Sequence, residues 1–173
     1  MKKARKVFLL TGFNNWGKTT LIQNLFNCGR FPRDTTIEFA GYDFCVIPQS
    51  NDDDGRDAYE AEVLRKMNIT QASYIFSAFC PTREPGRPIP ARLGNQYNPG
   101  NNLSADIIAT LYKNDEIILI PIEYKWCNHA KLELSEIINY YGNIPNFKIE
   151  PLLGNNITKK LSDLDAIVRN NLP

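Results

Sequence analysis

The feature that most constrains the fold is the segment 12–19, Gly-Phe-Asn-Asn-Trp-Gly-Lys-Thr, which directly follows the apolar run Val7-Phe8-Leu9-Leu10. An apolar run of this length predicts a buried strand, and apolar residues recur at helical spacing between 21 and 26. The segment between them has to connect a strand to a helix through a loop with two glycines. We predict a strand over 6–11 and a helix over 18–27.

The spacing of this loop suits the binding of a polyanion. Gly12 lets the chain leave the strand in a tight turn, and Gly17 lets backbone approach an anion without a Cβ in the way. Successive N–H groups then form an anion-binding concavity, to which the helix N-terminus adds positive charge. Lys18 is expected to reach the β- and γ-phosphates of a nucleotide, and the Thr19 hydroxyl to be a ligand of Mg²⁺.

The loop interior supplies further candidate contacts. We expect Asn14, Asn15, Trp16 and Thr20 to bind the nucleotide together with the glycines, Lys18 and Thr19. The interior is bulkier than in many such loops, so its conformation does not follow from the pattern alone. Trp16 has two interpretations: it lies over the nucleotide or packs outward.

The G-x-x-x-x-G-K-T pattern resembles the Walker A element of the P-loop NTPase superfamily, and the likeness covers about residues 6–28. The resemblance implies an α/β three-layer sandwich with a mainly parallel sheet and helices on both faces. It also implies Mg²⁺ with ATP or GTP as ligands and phosphoryl transfer as the chemistry. It does not choose among hydrolases, kinases and switches, because one fold hosts all three.

Length and charge narrow the function classes. At 173 residues the chain suits one domain over 1–173, and a formal charge of +1 argues against a generally basic nucleic-acid binder. The first apolar run is too short for a secretory signal, and no stretch approaches the length of a membrane span. Four scattered cysteines indicate reduced thiols and a cytoplasmic location. Cys127 and His129 lack two further ligands nearby, so a zinc site is not expected.

Apolar segments and helical periodicities alternate beyond residue 30 in the rhythm that favours a parallel sheet. The expected elements are an extended segment 36–48 that bends into a hairpin near 40–43, a helix 57–68, a strand 72–80, a helix capped by Asn102 or Ser104, a strand 116–123, a helix 130–141, a strand 147–153 and a helix marked by apolar residues between 157 and 168.

Magnesium held by Thr19 usually gains a carboxylate from a neighbouring strand end. Asp52-Asp53-Asp54-Gly55 follows the hairpin and fits the D-x-x-G pattern of small GTPases, and Thr36 lies where their first switch carries a Mg²⁺-binding threonine. Glu123 ends an apolar strand, as the acid of a Walker B element does. We take Thr19, Thr36, Asp52 and Glu123 as candidate metal ligands. The acidic run is equally explained as a solvated turn, and Glu123 as an ion-pair partner.

Two departures from the small-GTPase pattern leave open which nucleotide base is bound and how fast the triphosphate is hydrolysed. The strand that ends at Glu123 is followed by Tyr124-Lys125-Trp126 instead of the N-K-x-D that selects guanine, and Arg56 stands where a water-positioning Gln is expected after D-x-x-G. Two parts of the chain are candidates for contact with the base: Lys125 or Trp126, and the loop 154–156. The alternative for both is that they only pack at the end of a strand. Fast unaided hydrolysis is not expected.

Residues 81–102 are predicted to form a long loop that contains Arg83, Arg87 and Arg92. Loops of this length in compact domains are often lids or binding loops. Arginines beside a triphosphate neutralise charge during phosphoryl transfer or clamp a phosphorylated acceptor, so Arg83 and Arg87 are the candidate catalytic partners of Lys18. A solvated loop is the alternative.

Three functions therefore remain open. The first is a Mg²⁺-dependent NTP hydrolase or GTPase-like switch. The second is a kinase that transfers the γ-phosphate to a small or nucleotide acceptor. The third is a non-catalytic nucleotide-binding subunit whose surface is recognised by a protein partner.

If the loop is a lid, replacing Arg83 and Arg87 together should lower turnover while triphosphate binding is largely kept, because the arginines act on charge that develops during transfer. Steady-state turnover and a direct binding titration of the double variant check this. Unchanged turnover would identify both arginines as surface residues.

Overall fold

The computed structural model describes residues 5–13, 15–81, 104–125, 131–142 and 144–173. Strands and helices alternate along these ranges. In chain order they are β1 (Lys6–Thr11), α1 (Lys18–Leu25), β2 (Ile37–Phe39), β3 (Tyr42–Ile47), α2 (Arg56–Thr70), β4 (Tyr74–Phe79), α3 (Ser104–Leu111), β5 (Glu116–Pro121), α4 (Leu134–Tyr141), β6 (Phe147–Ile149) and α5 (Ile157–Asn170).

The strands form a six-stranded sheet in the order β2-β3-β4-β1-β5-β6. The pairs β3–β4, β4–β1, β1–β5 and β5–β6 are parallel, and β2–β3 is an antiparallel hairpin. Ala40 and Gly41 connect the hairpin with positive φ angles of 54° and 82°, the combination that a type I′ two-residue turn requires. The predictions of an α/β chain, a mainly parallel sheet and a hairpin near 40–43 are confirmed.

Helices cover both faces of the sheet. The connection from β1 to β3 runs toward one edge, whereas those from β3 to β4, β4 to β5 and β5 to β6 run toward the other. Because parallel crossovers are right-handed, α1 belongs on one face and α2, α3 and α4 on the opposite face. Helix contacts agree, since α1 packs against α5 and α2 packs against α3. This arrangement is compatible with a three-layer sandwich.

An aromatic cluster holds α1 on the sheet. Phe26, just beyond the end of α1, makes edge-on contacts with Phe44 of β3 and Phe76 of β4, with ring centroids 5.5 and 5.4 Å apart. Phe8 of β1 stacks on Phe76 at 6.1 Å. All four rings are buried. One end of α1 is therefore fixed by apolar packing, which leaves its N-terminus directly beyond β1.

Several predicted boundaries shift. The strand predicted over 147–153 ends at Ile149, with Leu152 adding an isolated bridge to Ile122. Ser104 is the first residue of α3, and its hydroxyl shares a 2.6 Å hydrogen bond with Tyr141. The helix predicted from 130 begins at Leu134. Residues 82–102 of the proposed lid, with Arg83, Arg87, Arg92 and Asn102, lie outside the described residues, as do Trp126, Cys127 and His129.

Within the described ranges, none of the helices combines the length and apolarity that a bilayer crossing demands.

Phe44→Ala should lower the free energy of unfolding by about 3–5 kcal/mol, because it leaves a cavity in the aromatic cluster that its neighbours only partly fill. Leu64→Ala, at a side chain 49% exposed on α2, is the matched control and should change it by less than about 0.5 kcal/mol. Urea denaturation measures both. Equal losses would contradict the assignment of Phe44 to the core.

Candidate phosphate-binding site

The site lies beyond the carboxyl ends of the central strands. β1, β3 and β4 are mutually parallel, so they end at the same edge of the sheet. The loops that follow them are 12–17 after β1, 48–55 after β3, and the segment that begins at Cys80 after β4. In open α/β sheets this edge is where ligands bind.

The loop after β1 depends on both glycines, for different reasons. Gly12 donates its N–H to the Phe79 carbonyl at 3.0 Å, and a Cβ at this position would lie 3.3 Å from both Ile122 Cδ1 and Trp16 Cβ. A side chain at residue 12 would therefore fit only if Ile122 or Trp16 moved by a few tenths of an ångström. Gly17 has a φ of 85°, in the left-handed region, immediately before α1 begins. This conformation lets the chain pass from the loop directly into α1, whose first N–H groups have no intrahelical acceptor.

The two aromatic residues of the loop are buried. Phe13 and Trp16 are 1% and 2% exposed, and their rings meet edge to face with centroids 5.7 Å apart. The interpretation that Trp16 packs outward is wrong, because its indole fills the space between the loop and the core. These rings anchor the loop from beneath, while Asn15 stays exposed at its surface.

A pocket of about 380 Å³ opens at the N-terminus of α1. The first turn of α1 adds donors to it, because Leu21 is the first residue to donate an intrahelical bond, to Gly17, and the amides before it have no intrahelical acceptor. Gly17 has no side chain with which to cap them. The pocket is lined by Asn15, Trp16, Gly17, Lys18, Thr19, Thr20, Pro48 and Asp53.

Lys18 is buried against its own loop. Its Nζ donates to the carbonyls of Gly12 at 2.5 Å and Phe13 at 2.9 Å. Burial lowers the pKa of Lys18, and the neighbouring Cys80, Asp52 and Asp53 oppose that shift. The ammonium is thus fixed where the loop, the end of β4 and the acidic segment meet, and an anion in the pocket would compete with the two carbonyls for it.

The three consecutive acids take different positions. Asp53 lines the pocket, and its Oδ2 accepts a 2.8 Å hydrogen bond from the Ser50 amide. Asp52 accepts from the Ser50 hydroxyl and is close enough to Cys80 to contribute to the raised pKa of that thiol, which burial dominates. Asp54 faces a different pocket. Asp53 is therefore the acid of this segment that shares a pocket wall with Thr19.

The other predicted metal ligands lie apart from the pocket. Glu123 accepts a hydrogen bond from the Gly154 amide at 3.3 Å, because the Ile122–Leu152 bridge brings the two chain segments after β5 and β6 together. Thr36 precedes β2 and is not among the lining residues. In the part of the chain that the structure describes, no three His, Cys, Asp or Glu side chains converge on one point. A cation in this pocket would be bound by oxygens of Thr19 and Asp53 and by oxygens of an anion bound beside them.

Asn51 is a residue of the site that the sequence did not single out. It is fully buried, and its side chain bonds both backbone groups of Cys80: Oδ1 accepts from the Cys80 amide at 2.7 Å, and Nδ2 donates to the Cys80 carbonyl at 3.2 Å. Its position between a strand and an acidic run was the one available signal. No local pattern indicates a contact across 29 residues.

A second pocket of about 360 Å³ lies beside the same β3–α2 loop. One wall is held by Arg65, which bonds Glu62 through Nε at 2.9 Å and Asp34 through Nη1 at 2.5 Å. The loop between β3 and α2 therefore separates two cavities. The second is lined by Arg33, Ile47, Gln49, Ser50, Asp54, Ala58, Tyr59 and Glu62.

Most of the predicted nucleotide contacts meet in the first pocket, namely Asn15, Trp16, Gly17, Lys18, Thr19 and Thr20, with Gly12 packed beneath them. Asn14 lies outside the described residues. Comparison of the chain with protein-family models, curated proteins and solved structures gives no significant match in any of the three. The functional assignment therefore depends on the geometry of this pocket.

Gly17→Ala should lower the free energy of unfolding by about 1–2 kcal/mol, because a Cβ disfavours the left-handed conformation. Gly29→Ala is the matched control: no atom lies within 4 Å of the added Cβ, so its effect should stay below about 0.5 kcal/mol. Chemical denaturation compares the two. A Gly17→Ala variant as stable as Gly29→Ala would show that the loop does not need a positive φ at residue 17.

Proposed function

We propose that this protein has a P-loop NTPase fold and binds Mg²⁺ with ATP or GTP in the pocket at the N-terminus of α1, acting as an NTP hydrolase or GTPase-like switch. The observation that carries the proposal is that one pocket gathers Lys18, Thr19, the first-turn amides of α1 and Asp53. These groups are a cation, a hydroxyl, oriented backbone donors and a carboxylate, which together match the chemistry of a metal-bound triphosphate.

Each group has a separate role in this proposal. The amides at residues 17–20 and the dipole of α1 bind the phosphate oxygens. Lys18 leaves the carbonyls of Gly12 and Phe13 and pairs with the β- and γ-phosphates. Thr19 and Asp53 present hard oxygen donors, the type that Mg²⁺ prefers, and the bound ion would neutralise charge on the phosphates.

Slow unaided hydrolysis fits the surroundings of the pocket. Arg56, which follows the D-x-x-G segment, pairs along α2 with Glu60 at 2.9 Å and is not among the residues that line the pocket. Its Nη2 also lies 3.5 Å from the Thr110 hydroxyl of α3, so the guanidinium contacts both α2 and α3. This favours a switch, or a hydrolase completed by a protein partner, over a fast free-standing enzyme. The free thiols of Cys28, Cys45 and Cys80 fit a cytoplasmic location for such a protein.

A kinase is the second candidate, and the second pocket is the observation that favours it. That pocket lies beside the loop that carries Asp53, and it contains both Arg33 and Asp54. An arginine suits a phosphorylated acceptor, and a carboxylate suits the proton of an attacking hydroxyl. Release of inorganic phosphate, compared with transfer to added nucleoside monophosphates, separates the two functions.

Lys18→Ala should weaken triphosphate binding at least about tenfold, because hydrogen bonds to charged groups contribute about 1.5–3 kcal/mol. Lys113→Ala, at an exposed lysine after α3, is the matched control and should leave the affinity unchanged. Isothermal titration of both variants with ATP and with GTP measures the effect. Tight binding retained by Lys18→Ala would end the proposal.

A further inference from the structure

The β3–α2 loop and the phosphate-binding loop follow two strands, β3 and β1, that are not paired with each other in the sheet. β3, which precedes the acidic segment, pairs with β4 and not with β1, because β4 lies between them. Asp53 must therefore reach a pocket that is built on β1 from a strand two positions away. Some interaction has to hold the loop across the end of β4.

Asn51 supplies that interaction. Its carboxamide accepts from the Cys80 amide and donates to the Cys80 carbonyl, at the first residue beyond β4. Both bonds are buried, so breaking them would leave the amide and the carbonyl of Cys80 unsatisfied in the interior, which is unfavourable. The two bonds fix the loop in position and in rotation, since one contact alone would let the loop pivot.

The acids are oriented from this fixed point. Ser50, the residue before Asn51, donates its amide to Asp53 Oδ2 at 2.8 Å and its hydroxyl to Asp52. Ser50 itself is buried, 3% exposed. The chain of contacts runs from the end of β4 through Asn51 and Ser50 to the carboxylate that lines the pocket.

We propose that Asn51 is a positioning residue that holds the Asp53 carboxylate toward the magnesium side of the phosphate pocket. The inference rests on the proposed function of that pocket. Asn51 does not line the pocket, so it acts through Asp53. Asn51 therefore contributes to the gain in triphosphate affinity that Mg²⁺ provides. Lys18 and the amides of α1 provide the affinity that remains without Mg²⁺.

The test measures the affinity for ATP and for GTP in excess Mg²⁺ and again in EDTA. The affinity in Mg²⁺ divided by the affinity in EDTA is the magnesium ratio. Asn51→Ala should reduce this ratio by about tenfold, in the range for groups that orient metal ligands, with the affinity in EDTA nearly unchanged. Asn51→Ser is a second variant with a smaller change in polarity and should move the ratio in the same direction. Circular dichroism confirms that both variants are folded.

A double-mutant cycle tests whether Asn51 acts through Asp53. Asp53→Asn should by itself reduce the magnesium ratio, and adding Asn51→Ala to it should cause little further loss, because the second change removes support for a ligand that is already absent. Additive losses from the two substitutions would overturn the inference.

Tyr141→Phe is the matched structural control. The Tyr141 hydroxyl of α4 is also buried in the interior, where it shares a 2.6 Å hydrogen bond with Ser104 of α3. Tyr141 lines neither the phosphate pocket nor the second pocket. Removal of its hydroxyl should lower stability and leave the magnesium ratio unchanged.

The outcomes separate the two proposals. An unchanged ratio in folded Asn51→Ala, or equal losses of affinity with and without Mg²⁺, overturns the role of Asn51 alone. An equal reduction of the ratio in Tyr141→Phe would overturn it as well, since loss of any buried hydrogen bond would then have the same effect. Failure of the unchanged protein to bind either triphosphate overturns the proposed function and, with it, this inference.

Discussion

The structure depends on the burial of β1 between two parallel neighbours. β4 and β5 pair along its whole length, and Val7, Phe8, Leu9 and Leu10 are inaccessible to solvent. A strand hydrogen-bonded on both edges and packed on both faces is held in one register, because a slip of one residue would disrupt its pairing with β4 and β5 and move Phe8 away from Phe76. The position where the chain leaves β1, and hence the position of the loop at 12–17, follows from this constraint.

The loop combines an apolar underside with a polar upper surface. Phe13 and Trp16 pack into the interior, whereas Asn15, Thr19 and Thr20 remain exposed. The apolar contacts keep the backbone in a conformation that contains a positive φ at Gly17 and that would otherwise be only one of several. Rigid support beneath an open donor surface is what a polyanion site requires, because the donors then need not be ordered when the ligand binds.

Much of the fold could be predicted from local patterns. β1, α1 and the hairpin at Ala40 and Gly41 follow from an apolar run, helical periodicity and turn chemistry, all of which act over a few residues. The different positions of the acids could not be predicted: Asp53 and Asp54 line different pockets, and Asp52 and Asp53 accept hydrogen bonds from Ser50, all of which depends on how the loop folds. The burial of Trp16 could not be predicted for a similar reason, since Ile122, which packs beside Gly12 close to Trp16, is distant in the chain.

Local sequence specifies the strand, loop and helix that form the proposed anion-binding surface, because glycine conformation, helix polarity and a lysine at fixed spacing are local properties. Long-range packing sets which carboxylate lines the same pocket as Thr19. Strand order is a long-range property, and with β4 inserted between β1 and β3 the Asn51–Cys80 contact ties the loop after β3 to the end of β4. Contacts of this kind join residues that are distant in the chain, and no pattern of neighbouring residues encodes them.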